Sequence, residues 1–99
     1  MILVLGHLKF APGKIGAALP HARVMAEATR RETGCLLYSF AADITEPDML
    51  RVVERWENWE TLSAHKTTPH LKTWRAALKQ IGVLERVVHG YEAGETRAL

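Results

Sequence analysis

At 99 residues the chain is long enough for one domain and leaves no room for a second. Its 47% hydrophobic and 24% charged residues are ordinary for a globular protein, and a net charge of +2, evenly spread, excludes recruitment to nucleic acid or an anionic membrane by charge alone. The single cysteine, Cys35, excludes an internal disulfide framework and fits a reducing compartment.

The opening run Met1–Leu5 is apolar but has no basic stretch before it, and Lys9 interrupts it. It therefore reads as a strand over residues 1–10 and not as a signal peptide, no apolar run is long enough for a bilayer, and the expected location is cytoplasmic. Apolar residues fill both alternations of this strand until His7, which predicts cover on both faces. Ala11-Pro12-Gly13 ends it. Ile15, Leu19, Ala22, Met25, Ala26 and Thr29 then follow helical spacing. Pro20 requires either that the regular helix begins near it or that the first turns are kinked. Gly34 stands where a helix cap is expected.

Residues 35–44 read as a strand with Leu36, Tyr38, Phe40, Ala42 and Ile44 on one side. Cys35, which opens it without a CxxC partner, reads as a buried thiol and not as a nucleophile. Thr45-Glu46-Pro47-Asp48 forms a turn into a hairpin partner over residues 49–56, whose Leu50, Val52, Glu54 and Trp56 share a face. Asn58 can cap a short helix running to Lys66. Thr68-Pro69 restarts a helix, with Thr68 as cap, Pro69 in the first turn and Leu71, Trp74, Leu78 and Ile81 on one stripe. Gly82 ends it. A last strand covers residues 83–91, and the expected domain is 1–92 with a loose tail over 93–99.

The order β-α-β-β-α-β, with the second helical region broken in two, predicts a ferredoxin-like α+β fold with helices on one face of an antiparallel sheet. The other face needs cover, with Leu3, Leu5, Val53 and Val88 as the residues to be covered and a second copy of the chain as the cover.

Three linked segments carry a resemblance. Glu32-x-Gly34-Cys35-x-x-Tyr38, Glu54-x-Trp56 and His65-x-x-Thr68-Pro69-His70 together resemble the antibiotic biosynthesis monooxygenase domain. The resemblance implies a dimeric α+β barrel with a cavity between sheet and helices in each subunit. It also implies oxidation of quinols or anthrone-like aromatics by dioxygen without flavin, haem or metal. Relatives that degrade haem or isomerise small molecules keep the fold from fixing the reaction.

The residues themselves allow this chemistry. There is no Gly-rich dinucleotide fingerprint, and His65 and His70, separated by Pro69, do not form an HExxH pair, so no cofactor and no metal are expected. Triplet dioxygen reacts slowly with closed-shell molecules, so a cofactor-free site must deprotonate an electron-rich phenol and stabilise the anion. His65, His70 and Glu54 are the candidate catalytic residues, the imidazoles as base and donor in either order and Glu54 orienting one of them. Each histidine is equally well read as a capping or packing residue. Tyr38, Phe40, Trp56 and Trp74 are the candidate substrate-binding residues, although each taken alone reads as core. Trp59 is expected to be partly exposed or at a dimer contact. Arg75 can reach an acidic substrate or simply be solvated. The expected function is a homodimeric, cofactor-independent monooxygenase acting on a small aromatic substrate with dioxygen. The alternatives are a ligand-binding or stress-associated barrel without turnover, a haem-handling protein, or an isomerase.

Overall fold

The computed structural model describes residues 1–99. Seven elements follow one another: β1 (Ile2–Phe10), α1 (Ile15–Thr29), β2 (Cys35–Ala42), β3 (Met49–Trp56), α2 (Trp59–His65), α3 (Pro69–Ile81) and β4 (Val83–Glu92). The four strands form one antiparallel sheet in the order β2-β3-β1-β4. This is the ferredoxin-like α+β arrangement expected from the element order, with the second helical region divided between α2 and α3. No helix is long and apolar enough to cross a membrane.

Strand alternation decides which side chains meet the helices. Ile2, Val4, Leu8 and Phe10 of β1 are buried, as are Leu50, Val52 and Trp56 of β3 and Met25 and Ala22 of α1. Full burial of a large apolar side chain contributes roughly 1.5–3 kcal/mol. Directly paired residues of an antiparallel ladder point to the same side, so the register can be read across the sheet. One inner row runs Tyr38, Glu54, Val4, Gly90, and the next runs Phe40, Val52, Gly6, Val88.

Several expectations are corrected by this register. Val88 stands opposite Gly6 on the helix side, so the residue that needs outside cover on β4 is its neighbour Val87, opposite His7. Leu5, by contrast, is 45% exposed and lies on the face expected to need outside cover. A register shift between Cys35 and Leu37 turns Leu36 out of the inner row, and Ile44 lies beyond the end of β2, fully exposed. Cys35 is half-buried, with burial the main cause that pushes its thiol pKa up.

Pro20 lies inside α1, which starts at Ile15 despite the backbone bond that Pro20 cannot donate to Gly16. Ala18 takes the buried position and Leu19 turns outward, 44% exposed. Gly34 is not the helix cap; Arg30 is. Gly34 has φ +81° and packs so close to α2 that an added Cβ would lie 2.4 Å from Cγ2 of Thr61. Two physical reasons therefore require glycine here, the left-handed backbone and the close approach. The β2–β3 turn is organised by Asp43, whose carboxylate accepts from the Thr45 and Glu46 amides, the Thr45 hydroxyl and Arg51 Nε. The Arg51 bond, followed by the turn bonds, holds its pKa well below the usual carboxylate range.

Candidate functional site

Glu32 lies between α1 and β2, in a loop fixed by backbone bonds from the Glu32 amide to Thr29 and from the Cys35 amide to the Glu32 carbonyl. Arg30 Nε donates to the Tyr38 carbonyl and ties the same loop to β2. On the other side, Asn58 caps α2 by accepting from the Thr61 amide, and α2 ends at His65. The Thr68 hydroxyl donates to the His65 carbonyl at 2.8 Å, so the end of α2 and the start of α3 are tied together. Pro69 opens α3, and His70 follows it.

These constraints bring three side chains to one point. Oε2 of Glu32 lies 2.7 Å from Nδ1 of His65 and 2.7 Å from Nε2 of His70. A carboxylate only accepts, so each ring nitrogen facing it donates an N–H when the carboxyl is ionised. That choice of tautomer leaves the lone pair of His65 on Nε2. The imidazole of His65 also packs against Trp56, with ring centroids 4.9 Å apart, and Tyr38, at 5.6 Å.

The expected pairing of Glu54 with an imidazole is thereby corrected. Glu54 Oε1 instead accepts from Nε1 of Trp56 at 2.8 Å, because alternation places both on the inner face of β3, two positions apart. The carboxylate that orients His65 and His70 is Glu32. Burial is the main cause that raises the Glu54 pKa, against the lowering effects of the Trp56 bond and the nearby charges of His65 and Arg86.

Between the sheet and α2–α3 lies a cavity of about 860 Å³. Its floor includes Tyr38, Phe40, Val52 and Glu54, and its roof includes Leu62, His65 and Trp74. Phe40 stacks edge-on against Tyr38 at 5.3 Å and tilted against Trp74 at 5.2 Å. Tyr38, Phe40 and Trp74, all expected as substrate-binding residues, thus border one space. Trp56 does not; it is completely buried beneath His65. His70 also stands behind the wall, where it shares Glu32 with His65. Trp59 is 44% exposed, borders the cavity and donates to Glu92.

No buried side-chain nitrogen or oxygen lacks a hydrogen-bond partner. The Tyr38 hydroxyl, His65 Nε2 and Glu54 Oε2 make no bond within the chain, so they retain open surface, and the space bordered by their side chains is the cavity. The Tyr38 hydroxyl is strongly held in its neutral form, chiefly by burial and then by the charges of Glu54 and Glu32, and so remains a donor. The arrangement supplies a base, a neutral donor and an aromatic-lined space to one bound molecule.

Glu32, His65 and His70 are also the group that could hold a metal ion, with their donor atoms within 4.8 Å of one another. Their 2.7 Å contacts are hydrogen-bond distances. A divalent ion with bonds of about 2.0–2.1 Å would need these atoms to spread apart.

Fold and site together define a ferredoxin-like α+β domain with a carboxylate-bridged histidine pair at the wall of an apolar cavity. The pattern of the antibiotic biosynthesis monooxygenase family matches residues 1–77, and the chain belongs to that family. It is 29% identical over 98 residues to the uncharacterized protein sll1783 of Synechocystis, covering 99% of this chain and 67% of that one. It is 28% identical over 89 residues to YgiN of Escherichia coli K12, named a probable quinol monooxygenase, covering 80% of this chain and 86% of that one. Among solved structures, one of Deinococcus radiodurans described as an antibiotic biosynthesis monooxygenase aligns with TM-score 0.93 at 29% identity, over 100% of this chain and 98% of that one. A Caulobacter crescentus structure of the same description aligns with TM-score 0.88 at 26% identity, over 95% and 90%.

Proposed function

We propose that the protein is a cofactor-independent monooxygenase that oxidises a quinol or anthrone-like aromatic with dioxygen. The observation that carries this reading is the conjunction at the cavity wall: an imidazole backed by a carboxylate, beside an unpartnered, neutral tyrosine hydroxyl. The family and the resemblance to YgiN support it.

In this mechanism His65 Nε2 takes a phenolic proton, and the Glu32 carboxylate at Nδ1 stabilises the imidazolium that results. The Tyr38 hydroxyl donates to the developing oxyanion. The aromatic anion passes one electron to dioxygen, and the semiquinone radical and superoxide combine to form a carbon–oxygen bond. Protonation by the His65 imidazolium gives a hydroperoxide, which loses water as its O–O bond breaks and the ring carbon gives up its C–H proton. For a hydroquinone the balance is quinol plus dioxygen to hydroxyquinone plus water. His70 acts through Glu32 as a positioning residue. Glu54 forms part of the floor beneath the substrate, and Trp56 supports the His65 ring from behind the wall.

The same proposal includes a homodimer. The outer sheet face carries Leu5, Leu37, Val53 and Tyr91, exposed by 45%, 38%, 36% and 50%. A second copy packed through this face removes those apolar side chains from water.

Oxygen uptake by metal-free protein against quinols and anthrones tests the reading, with superoxide dismutase and the His65→Ala/His70→Ala variant as controls. Protein-dependent uptake with an oxygenated product, lost in the variant, is expected. No uptake above autoxidation across the panel, with ligands still bound, would replace it with a binding protein.

A further inference from the structure

The border of the cavity has an unbalanced charge. Lys66, Arg75, Lys79 and Arg86 all line it, and Glu54 is its one carboxylate. None of the four cations forms an ion pair, and neither do Lys14, Arg30, Arg31, Arg55 and Lys72 elsewhere on the chain, so what sets the cavity apart is its excess of four cations over one carboxylate. The whole chain carries a net charge of only +2. Four uncompensated cations around one opening are therefore a local feature and not a reflection of composition.

Their positions follow from the elements. Lys66 caps the C-terminal end of α2, directly after His65. Arg75 and Lys79 lie four residues apart, one turn along α3. Arg86 stands opposite Leu8, which places it on the inner face of β4, the edge strand of the sheet. The cations thus border the cavity from α2, α3 and β4, while Tyr38 and Glu54 approach from β2 and β3. Apolar residues, Leu78 and Val83 among them, line the space as well. The Arg86 charge is felt at both Tyr38 and Glu54, which acts to lower their pKa values.

A wall that is apolar and aromatic, with uncompensated cations at its border, fits a ligand with an aromatic body and an anionic group. Guanidinium forks match the planar, two-oxygen geometry of a carboxylate. We propose that the substrate is a carboxylated aromatic, its ring against Tyr38 and His65 and its carboxylate held by Arg75 and Arg86, with Lys66 and Lys79 adding to the attraction. This deepens the monooxygenase reading and rests on its assignment of the cavity as the substrate site.

The test is calorimetric binding of naphthalene-2-carboxylate and naphthalene-2-carboxamide, which share a ring and differ in charge. The carboxylate is expected to bind roughly tenfold tighter or more at about 10 mM salt, with the gap closing at about 1 M, where the Debye length falls to about 3 Å. Arg75→Gln/Arg86→Gln should bring the carboxylate's affinity towards that of the amide. Lys14→Gln/Lys72→Gln removes the same charge away from the cavity and should keep the preference. Thermal midpoints read on both variants verify that they are folded. Equal affinities, a tighter amide, a preference that ignores salt or the arginine change, or no binding of either compound overturns the proposal. Oxygen uptake with a carboxylated quinol separates the two readings. Anion preference without uptake defeats only the monooxygenase, and uptake without anion preference defeats only the substrate class.

Discussion

Glu32 and His65 stand 33 positions apart in the sequence, yet Oε2 of the one lies 2.7 Å from Nδ1 of the other. The same oxygen meets His70 at the same distance. A single carboxylate therefore sets the orientation of two imidazoles, and only one of these, His65, borders the cavity. This division makes His65 the candidate base and places His70 behind it.

Glu32→Gln should separate charge from shape. The amide still offers an oxygen to the rings but removes the negative charge that stabilises an imidazolium at His65. Turnover is expected to fall by about 10- to 100-fold, with a stability loss of about 1–3 kcal/mol. The discriminating readout is the split between kcat and KM, with the loss expected in kcat. An unchanged kcat would remove Glu32 from the mechanism.

Tyr38→Phe tests the free hydroxyl. Since that oxygen bonds nothing within the chain, stability should stay within about 0.5 kcal/mol of the parent. Affinity for a phenolic ligand should weaken by about 0.5–1.5 kcal/mol, the net value of one neutral hydrogen bond. A large drop in thermal midpoint with unaltered ligand affinity would identify a structural role instead.

Glu54 gives a stability prediction with a definite sign. Burial raises its pKa in the folded protein, so folding favours the protonated form. The stabilisation it contributes is complete below the unfolded pKa and is lost as pH rises through the folded pKa. Glu54→Gln keeps an acceptor for Trp56 Nε1 but cannot ionise. Relative to the parent, its thermal midpoint should therefore be more favourable at about pH 8 than at about pH 4. The opposite trend would mean that the ionised carboxylate is stabilised by its surroundings.

Gly34→Ala should be costly. It combines a left-handed backbone, disfavoured by about 1–2 kcal/mol for an L side chain, with a contact of 2.4 Å to Thr61. A total loss of roughly 2–4 kcal/mol in denaturant unfolding is expected. Because Gly34 lies between Glu32 and β2, turnover should also suffer in whatever fraction remains folded.

Leu5→Glu/Val53→Glu addresses assembly. The two residues are paired across β1 and β3 on the outer face, and like charges there oppose sheet-to-sheet packing. Sedimentation should report a monomer for the variant and a dimer for the parent. A dimer in both would move the interface elsewhere.

Local rules were enough for the element order, because alternation, the Asn58 and Thr68-Pro69 helix starts and the Gly82 stop depend on neighbours in sequence. Those rules also placed Tyr38 and Phe40 on one face. They did not reveal the break in register after Cys35, which turned Leu36 away, nor the outward turn of Leu19, since both depend on what packs against the strand or helix. The motif segments contained Glu32, but a loop glutamate before a glycine has no local feature that marks its partner. Alternation points instead to Glu54, whose donor is the indole two residues along its own strand. Nor could charge counting separate Lys66, Arg75, Lys79 and Arg86 from other surface cations. Fold class and the residue types available for chemistry are legible along the chain, because periodicity and capping are short-range. Which carboxylate meets the histidines and which cations surround the cavity depend on packing, because those contacts join loop, helix and edge strand across distances in sequence that no local pattern encodes.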